Sequence, residues 1–384
     1  MTRADHDPLM VTPAGKPRAR SLMSFAGRPG KWNAVTDVPG VEVGYQTLVT
    51  GDAVRTGVTA IHPRGRDGAS DPVAAGFHSQ NGNGEMTGVS WIRESGTFSG
   101  PIAITNTHAV GVAHAGIIAW TVRHHPRMAN AWLLPVAGET WDGYLNDING
   151  HHVTEDIVVA ALEAATPGPI EEGSVGGGTG MNCYSFKGGS GTASRVVDYG
   201  GTQYTVGAFL QANFGDRHEL SLDGVHLGEL LADDNPMGSW SPAPAGSGSC
   251  IAVVVTDAPL LPLQCAALAR RVTLGLARTG TAGSHFSGDL FLACSVANRG
   301  AISPGLDTFN GASPGRYDQL RFIPWGQLDP FYEAVVQASE EAVINALVAN
   351  EEMIGRDAHR SPALPRDKVA RILSAHHVPG GSVS

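Results

Sequence analysis

Basic residues are scarce: Lys and Arg number 26 against 36 Asp and Glu, which leaves a formal charge of −10 at pH 7. Nucleic-acid scaffolds draw their generic affinity from cations that neutralise phosphates, so this balance argues against one and favours a small neutral or cationic partner. Cysteine is scarcer still. Cys183, Cys250, Cys265 and Cys294 stand far apart with no C-x-x-C pair, so neither a zinc cluster nor a disulfide framework is expected. No run is long and apolar enough to span a bilayer, and the first 25 residues carry scattered charges and prolines instead of a signal-peptide core. Residues 1–30 are read as a flexible arm ahead of one domain over 31–384, in a protein expected to be soluble and cytoplasmic. No internal repeat stands out. The glycine run GGGTG (176–180) lacks the G-x-x-x-x-G-K-[ST] pattern, no Rossmann G-x-G-x-x-G opens a helix, and no G-x-S-x-G elbow holds Ser249 or Ser287. The histidine pairs at 124/125, 151/152 and 376/377 are adjacent, so their side chains diverge. No metal and no cofactor are expected.

What is present is a chain that is 42% hydrophobic with aperiodic Gly and Pro, enough to bury a large core. Residues 32–62 hold short β-branched runs broken by Gly and Pro, which suits antiparallel strands and tight turns. A strand at 102–104 feeds Asn106 and Thr107, either of which can cap a helix over 108–125 that stops at Pro126. Further helices are expected over 155–165, 262–278 and 328–350, the last with Phe331, Ala334, Val335, Ala338, Ala342, Val343, Ala346 and Leu347 at helical spacing. Strands and helices interleave throughout, so the fold class is α/β (α+β), layered around buried sheets.

Residues 232–248 shift to acidic, Pro, Gly and Ser composition, which can sustain neither helix nor central strand and reads as an exposed loop. Directly after it, SCIAVVVTDAP reads as a fully buried strand. Ser249 therefore sits where a linker meets a rigid element. Gly248 lacks a Cβ and lets a hydroxyl approach its carbonyl, so Ser249 can attack its own upstream peptide bond. Hydrolysis of the resulting ester would leave an amino-terminal Ser whose amine can accept the hydroxyl proton. By local pattern alone, an ordinary loop entering a strand fits as well. Cys250 next door is the better intrinsic nucleophile, but strand alternation turns it to the opposite face, where an apolar free thiol serves as core filler.

From about Asn33 to about Ala349 the sequence resembles the DmpA-type aminopeptidases, a family of self-processing serine peptidases that includes L-aminopeptidase/D-amidase/esterases and β-peptidyl aminopeptidases. The resemblance is carried, in order, by NAVTDVPGVEVG (33–44), HSQNGNGEMTG (78–88), TNTHAVGVAHAG (105–116), GETWDGYLNDING (138–150), GGGTGMNCYSFKGGSGTASR (176–195) and QANFG (211–215). It continues through SCIAVVVTDAPLLP (249–262), LGLARTG (274–280) and SGDLFLACSVAN (287–298). It implies a four-layer αββα sandwich, resembling the amino-terminal nucleophile hydrolases and shared with ornithine acetyltransferases. It also implies autocatalytic cleavage into an α chain 1–248 and a β chain 249–384, and a homo-oligomer of αβ units, a tetramer in the family.

By the same resemblance Ser249 aligns with the nucleophile, the eight-residue step to Asp257 being kept. Ser287 and Asp289 match a Ser-Gly-acid element that orients the nucleophile or relays its proton; relatives have Asp or Glu at the second position. Asn213 matches a residue that donates its amide to the developing oxyanion, a role suited to a donor that does not ionise. Glu139 matches an acid that binds the substrate ammonium. Trp141 stands where relatives carry Tyr and offers no hydroxyl, so it reads as a wall of the substrate pocket. The leading expectation is an aminopeptidase/amidase that removes the amino-terminal residue of short peptides, amides or esters through an acyl-Ser249. Acyl transfer of the ornithine acetyltransferase type, β-peptidyl specificity and a non-catalytic scaffold are the competing readings.

Overall fold

In the computed structural model, which describes residues 7–240, 247–302 and 317–376, elements follow one another in the interleaved order that the sequence suggests. Strands β1 (Glu42–Thr50), β2 (Val54–His62) and β3 (Val73–Ser79) precede helix α1 (Val89–Ser95). Then come β4 (Thr97–Phe98), β5 (Ile102–Asn106), helix α2 (Val110–His124), β6 (Val136–Thr140) and helix α3 (Glu155–Glu163). The short strands β7 (Asn182–Cys183) and β8 (Phe186–Lys187) lead to the long hairpin of β9 (Gly189–Tyr199) and β10 (Thr202–Asn213). Helix α4 (Leu227–Leu230), β11 (Gly248–Thr256), helix α5 (Pro262–Ala277), β12 (Ser287–Ser295) and helix α6 (Asp329–Val348) follow, and β13 (Met353–Ile354), β14 (Arg360–Ser361) and helix α7 (Arg366–His376) end the described chain.

Two sheets carry the architecture, one of order β1-β2-β5-β6 and one of order β4-β3-β12-β11-β10-β9. Ile61, Ile102, Ile104 and Val136 from the first meet Phe209, Ile251, Val253 and Leu292 from the second in a shared apolar layer. Helices α2 and α3 cover the outer face of the smaller sheet through Ala113, Ile117, Val158 and Leu162. Helices α5 and α6 cover the outer face of the larger one through Leu268, Val272, Phe331 and Val343. The order is therefore α, β, β, α, the expected four-layer sandwich. Parallel pairing explains why helices lie outermost: β5 with β6 and β11 with β12 are parallel, and each pair needs a crossover, supplied by α2 and α5. Strand β11 is buried on both faces, with Ile251, Val253 and Val255 toward the other sheet and Cys250, Ala252 and Val254 toward the helices, hence its unbroken apolar run. Glycines set the close helix approaches; a β-carbon at Gly191 or Gly76 would collide with the backbone of α6 or α5.

The arm expected to be flexible is instead packed over residues 7–30. Arg18 is 3% exposed, its guanidinium 2.6 Å from the buried Glu172 carboxylate and bonded to the carbonyls of Trp32 and Asn33. A buried guanidinium is tolerated only when its donors are used, and here each of its three nitrogens reaches an acceptor. Residues 1–6 of that arm, and 241–246 of the expected loop, lie outside the described residues. Among the described residues no helix is long and apolar enough to cross a membrane.

Candidate active site

Register converts distant sequence positions into neighbours at one end of the larger sheet. Antiparallel pairing of β10 with β11 sets Asn213 opposite Ser249, and parallel pairing of β11 with β12 sets Gly248 beside Ser287 and Ser249 beside Gly288. Ser249, 3% exposed, shares the inter-sheet face with Ile251 and Val253. At Gly248 a β-carbon would press on the carbonyl of Asn213 at 2.5 Å and on the Cα of Phe214 at 2.9 Å, so the position before Ser249 admits only glycine without displacement.

The Ser249 hydroxyl oxygen accepts two N–H donors, the backbone nitrogen of Trp141 at 3.2 Å and Nδ2 of Asn213 at 3.2 Å. Asn213 has no freedom to flip. Its Oδ1 accepts the Asn182 N–H at 2.8 Å, and Nδ2 also donates to the Trp141 carbonyl at 3.0 Å. Just before Trp141, Gln211 donates from β10 to Thr105 O (3.1 Å) and Thr140 Oγ1 (2.7 Å), tying the ends of β5 and β6 to the larger sheet. Directly after Trp141, Asp142 accepts from Asn146 Nδ2 at 3.1 Å and its buried carboxyl is pushed up to about 7 by desolvation.

Ser249 opens into a cleft of about 1130 Å³. Glu139 lines it from the end of β6, 2% exposed, its carboxylate taking the Glu85 N–H at 2.7 Å and the Thr107 hydroxyl. Burial raises its pKa, against the pull of those donors. Trp141, 37% exposed, forms part of the wall with Tyr144, Met237 and Trp240. Ser287 and Asp289 are placed differently. Ser287 Oγ donates to Asp289 Oδ1 at 2.7 Å, and Asn81 Nδ2 donates to Asp289 Oδ2 at 3.2 Å. Burial pushes the Asp289 carboxyl up to about 6. Strand alternation turns this pair, with Phe291, toward the α5/α6 layer, the side that Cys250 also faces. Among the described residues neither hydrogen-bonds to Ser249; register puts Ser287 alongside the Gly248–Ser249 bond. Cys250 is fully buried and its thiol is held well above the ordinary range by burial, so it stays un-ionised.

The model of peptidase family S58 matches residues 33–361. The chain belongs to this family. It is accordingly a hydrolase of peptide bonds, and the four layers are those of the amino-terminal nucleophile hydrolases. It is 44% identical to a β-peptidyl aminopeptidase, BapA, of Sphingosinicella microcystinivorans, over 94% of this chain and 92% of that one. It is 43% identical to the BapA of Sphingosinicella xenopeptidilytica, over 94% and 91%. Among solved structures it is similar to the L-aminopeptidase D-Ala-esterase/amidase of Ochrobactrum anthropi, a serine aminopeptidase with a variant of the amino-terminal nucleophile hydrolase fold (TM-score 0.86, 42% identity, 94% of this chain and 99% of that one). A β-aminopeptidase of Burkholderia sp. superposes with TM-score 0.81 at 42% identity, over 93% and 98%.

Several groups at this site carry no sequence signal of their own. The Trp141 N–H is a backbone donor, invisible to a reading of side chains. Thr107 and Tyr144 stand inside the TNTHAVG and GETWDGY motifs and could have been singled out there. Trp240 belongs to the linker, whose composition suggests only a loop.

Proposed function

We propose that the chain is a precursor that cuts itself between Gly248 and Ser249, and that the resulting αβ enzyme removes the amino-terminal residue from short peptides, amino-acid amides or esters. The observation that carries this reading is the Ser249 hydroxyl held by two N–H donors in a cleft that the buried Glu139 carboxylate also lines. In the cut, Ser249 Oγ adds to the Gly248 carbonyl, the C–N bond breaks to give an ester, and water hydrolyses it, freeing the Gly248 carboxylate and the Ser249 amine. In the uncut chain the Ser249 nitrogen is an amide and cannot take a proton. Once freed it is an α-amine, a weaker base than a lysine amine and suited to deprotonate its own hydroxyl at neutral pH.

In turnover, Glu139 binds the substrate ammonium, which explains a demand for an unblocked amino end. Ser249 attacks the first carbonyl, the oxyanion takes the Asn213 and Trp141 donors, the amine or alcohol leaves, and water releases the acyl group. The Ser287–Asp289 pair, beside the scissile bond by register, positions the new amino terminus. A second reading, hydrolysis of β-amino residues, is favoured by the names of the two Sphingosinicella relatives. Wild-type protein should run as two bands with a mass break after Gly248, and Ser249→Ala as one inactive band; an uncut wild-type chain with full activity refutes the proposal. Aminoacyl p-nitroanilides of α- and β-amino acids, with and without an amine acceptor, separate hydrolysis from acyl transfer and the two specificities.

A further inference from the structure

The linker that precedes the expected cut contributes a residue to the cleft. Trp240 is half-buried, its ring 5.8 Å from that of Trp141 and 5.1 Å, edge on, from that of Tyr144. Trp240 also meets His359 edge on at 5.7 Å. Tyr144 is itself fixed: it stacks on His359 at 4.6 Å and nearly parallel, its hydroxyl donates to the Arg360 carbonyl at 3.1 Å, and His359 Nδ1 lies 2.7 Å from the Tyr144 carbonyl. The turn before Trp240 is pinned by its own N–H, bonded to the Met237 carbonyl at 3.1 Å. These contacts set the half-buried Trp240 and the 37%-exposed Trp141 against the buried Tyr144, with Met237 beside them, as a packed aromatic box in the cleft wall rather than a loose surface indole.

Its position relative to the chemistry is read from the order of groups along the chain past the end of β6 at Thr140. Glu139 lies two residues before Trp141, whose N–H touches Ser249 Oγ, and the box lies beyond Trp141, over residues 141–144. A substrate whose ammonium sits on Glu139 and whose carbonyl sits at Ser249 therefore directs the group beyond the carbonyl toward the box. We infer that Trp240, with Trp141 and Tyr144, is a specificity-determining residue that receives an aromatic or bulky apolar side chain on the leaving group, the second residue of the peptide. This rests on the aminopeptidase reading given above. It also means that a residue of the linker stays at work after the cut, near the new carboxyl end of the α chain and against His359 of the β chain.

The test uses purified full-length protein, with processing checked by intact mass, and two substrates that share one good amino-terminal residue: the dipeptide ending in Phe and the simple amide, which has nothing to place in the box. In Trp240→Ala the ratio of kcat/KM for the Phe dipeptide over that for the amide should fall roughly tenfold, mainly through KM, and Trp240→Phe should restore most of it. An unchanged ratio overturns the inference. So does a Trp240→Ala chain that remains uncut while Trp240→Phe is cut, because Trp240 would then be an anchor of the linker. Wild-type protein that hydrolyses neither substrate would refute the aminopeptidase reading itself, a different result from a wild type active on both.

Discussion

Asn213 is the side chain on which the proposed chemistry depends most directly after Ser249, and its loss has a calculable outcome. Two donors reach Ser249 Oγ, and only one is a side chain; Asn213→Ala leaves the Trp141 N–H in place and removes Nδ2. Removing one preorganised donor from an oxyanion site costs about 10²–10³ in kcat, roughly 2.7–4 kcal/mol of transition-state stabilisation. Binding of the ground state engages Glu139 rather than Asn213, so KM should move little. Asn213→Asp should be worse than Asn213→Ala. The Asn182 N–H would hold one carboxylate oxygen as it now holds Oδ1, and the second oxygen would face the hydroxyl where Nδ2 now donates. Initial rates on an aminoacyl p-nitroanilide, divided by the cut fraction from intact mass, separate slowed turnover from slowed processing. A fully cut Asn213→Ala enzyme with kcat within about threefold of wild type refutes the assignment.

Glu139→Gln should raise KM about tenfold to a hundredfold with a smaller change in kcat, since a charged hydrogen bond to the ammonium is lost. Because burial raises the Glu139 pKa, wild-type KM should climb as pH falls through that raised value, and a KM versus pH curve for the Gln variant should lack this acid limb. Asp142→Asn tests the buried carboxyl beside the Trp141 donor. Its pKa is raised to about 7, so the folded state holds the proton more tightly than the unfolded chain; stability from this group is full below about 4 and is lost as pH rises to about 7. The Asn variant keeps an acceptor for Asn146 and has no charge to desolvate, so its melting temperature should exceed that of wild type by several degrees at pH 8, an advantage of at most about 4 kcal/mol, and by less at pH 5. Thermal scans that give the same difference at both pH values would contradict the assigned cause.

The elements that could be read from the sequence are those whose periodicity and stops are local. The helix expected over 262–278 runs over Pro262–Ala277, and that expected over 328–350 runs over Asp329–Val348, because proline at the first turn and an apolar stripe are short-range signals. Asn106 caps as anticipated, its Oδ1 accepting the Ala109 N–H at 3.0 Å, although a 3₁₀ turn comes before the helix proper. Strand β9 gave no such signal. Its Gly191 and Ala193 are small because α6 lies close on that face, where Arg195 pairs with Glu341 of α6, and on the opposite face Thr192 takes the Val35 N–H while Ser194 takes the Gly30 N–H and donates to Asp37. The arm itself is held by an ion pair to Glu172, a partner 154 residues away that no window of sequence contains.

The same distinction runs through the site. A motif can bring Ser249, Asn213 and Glu139 to notice one at a time, but only register joins them: β10 against β11 aligns Asn213 with Ser249, and the end of β6 delivers the Trp141 N–H. Parity decides the remaining question. In a parallel pair with Ser249 beside Gly288, the residues that share the Ser249 face are Gly288 and Leu290, so Ser287 and Asp289 lie on the other face. Gly288 is then required to be small, because the Asn83 backbone crosses directly over it and a β-carbon would strike it. The Ser-Gly-acid spacing thus has a structural reason that its residues do not announce. The glycine makes room for the loop that delivers the Glu85 N–H to Glu139, while the flanking Ser and Asp bond to each other beneath the strand, next to where the Ser249 amine would emerge.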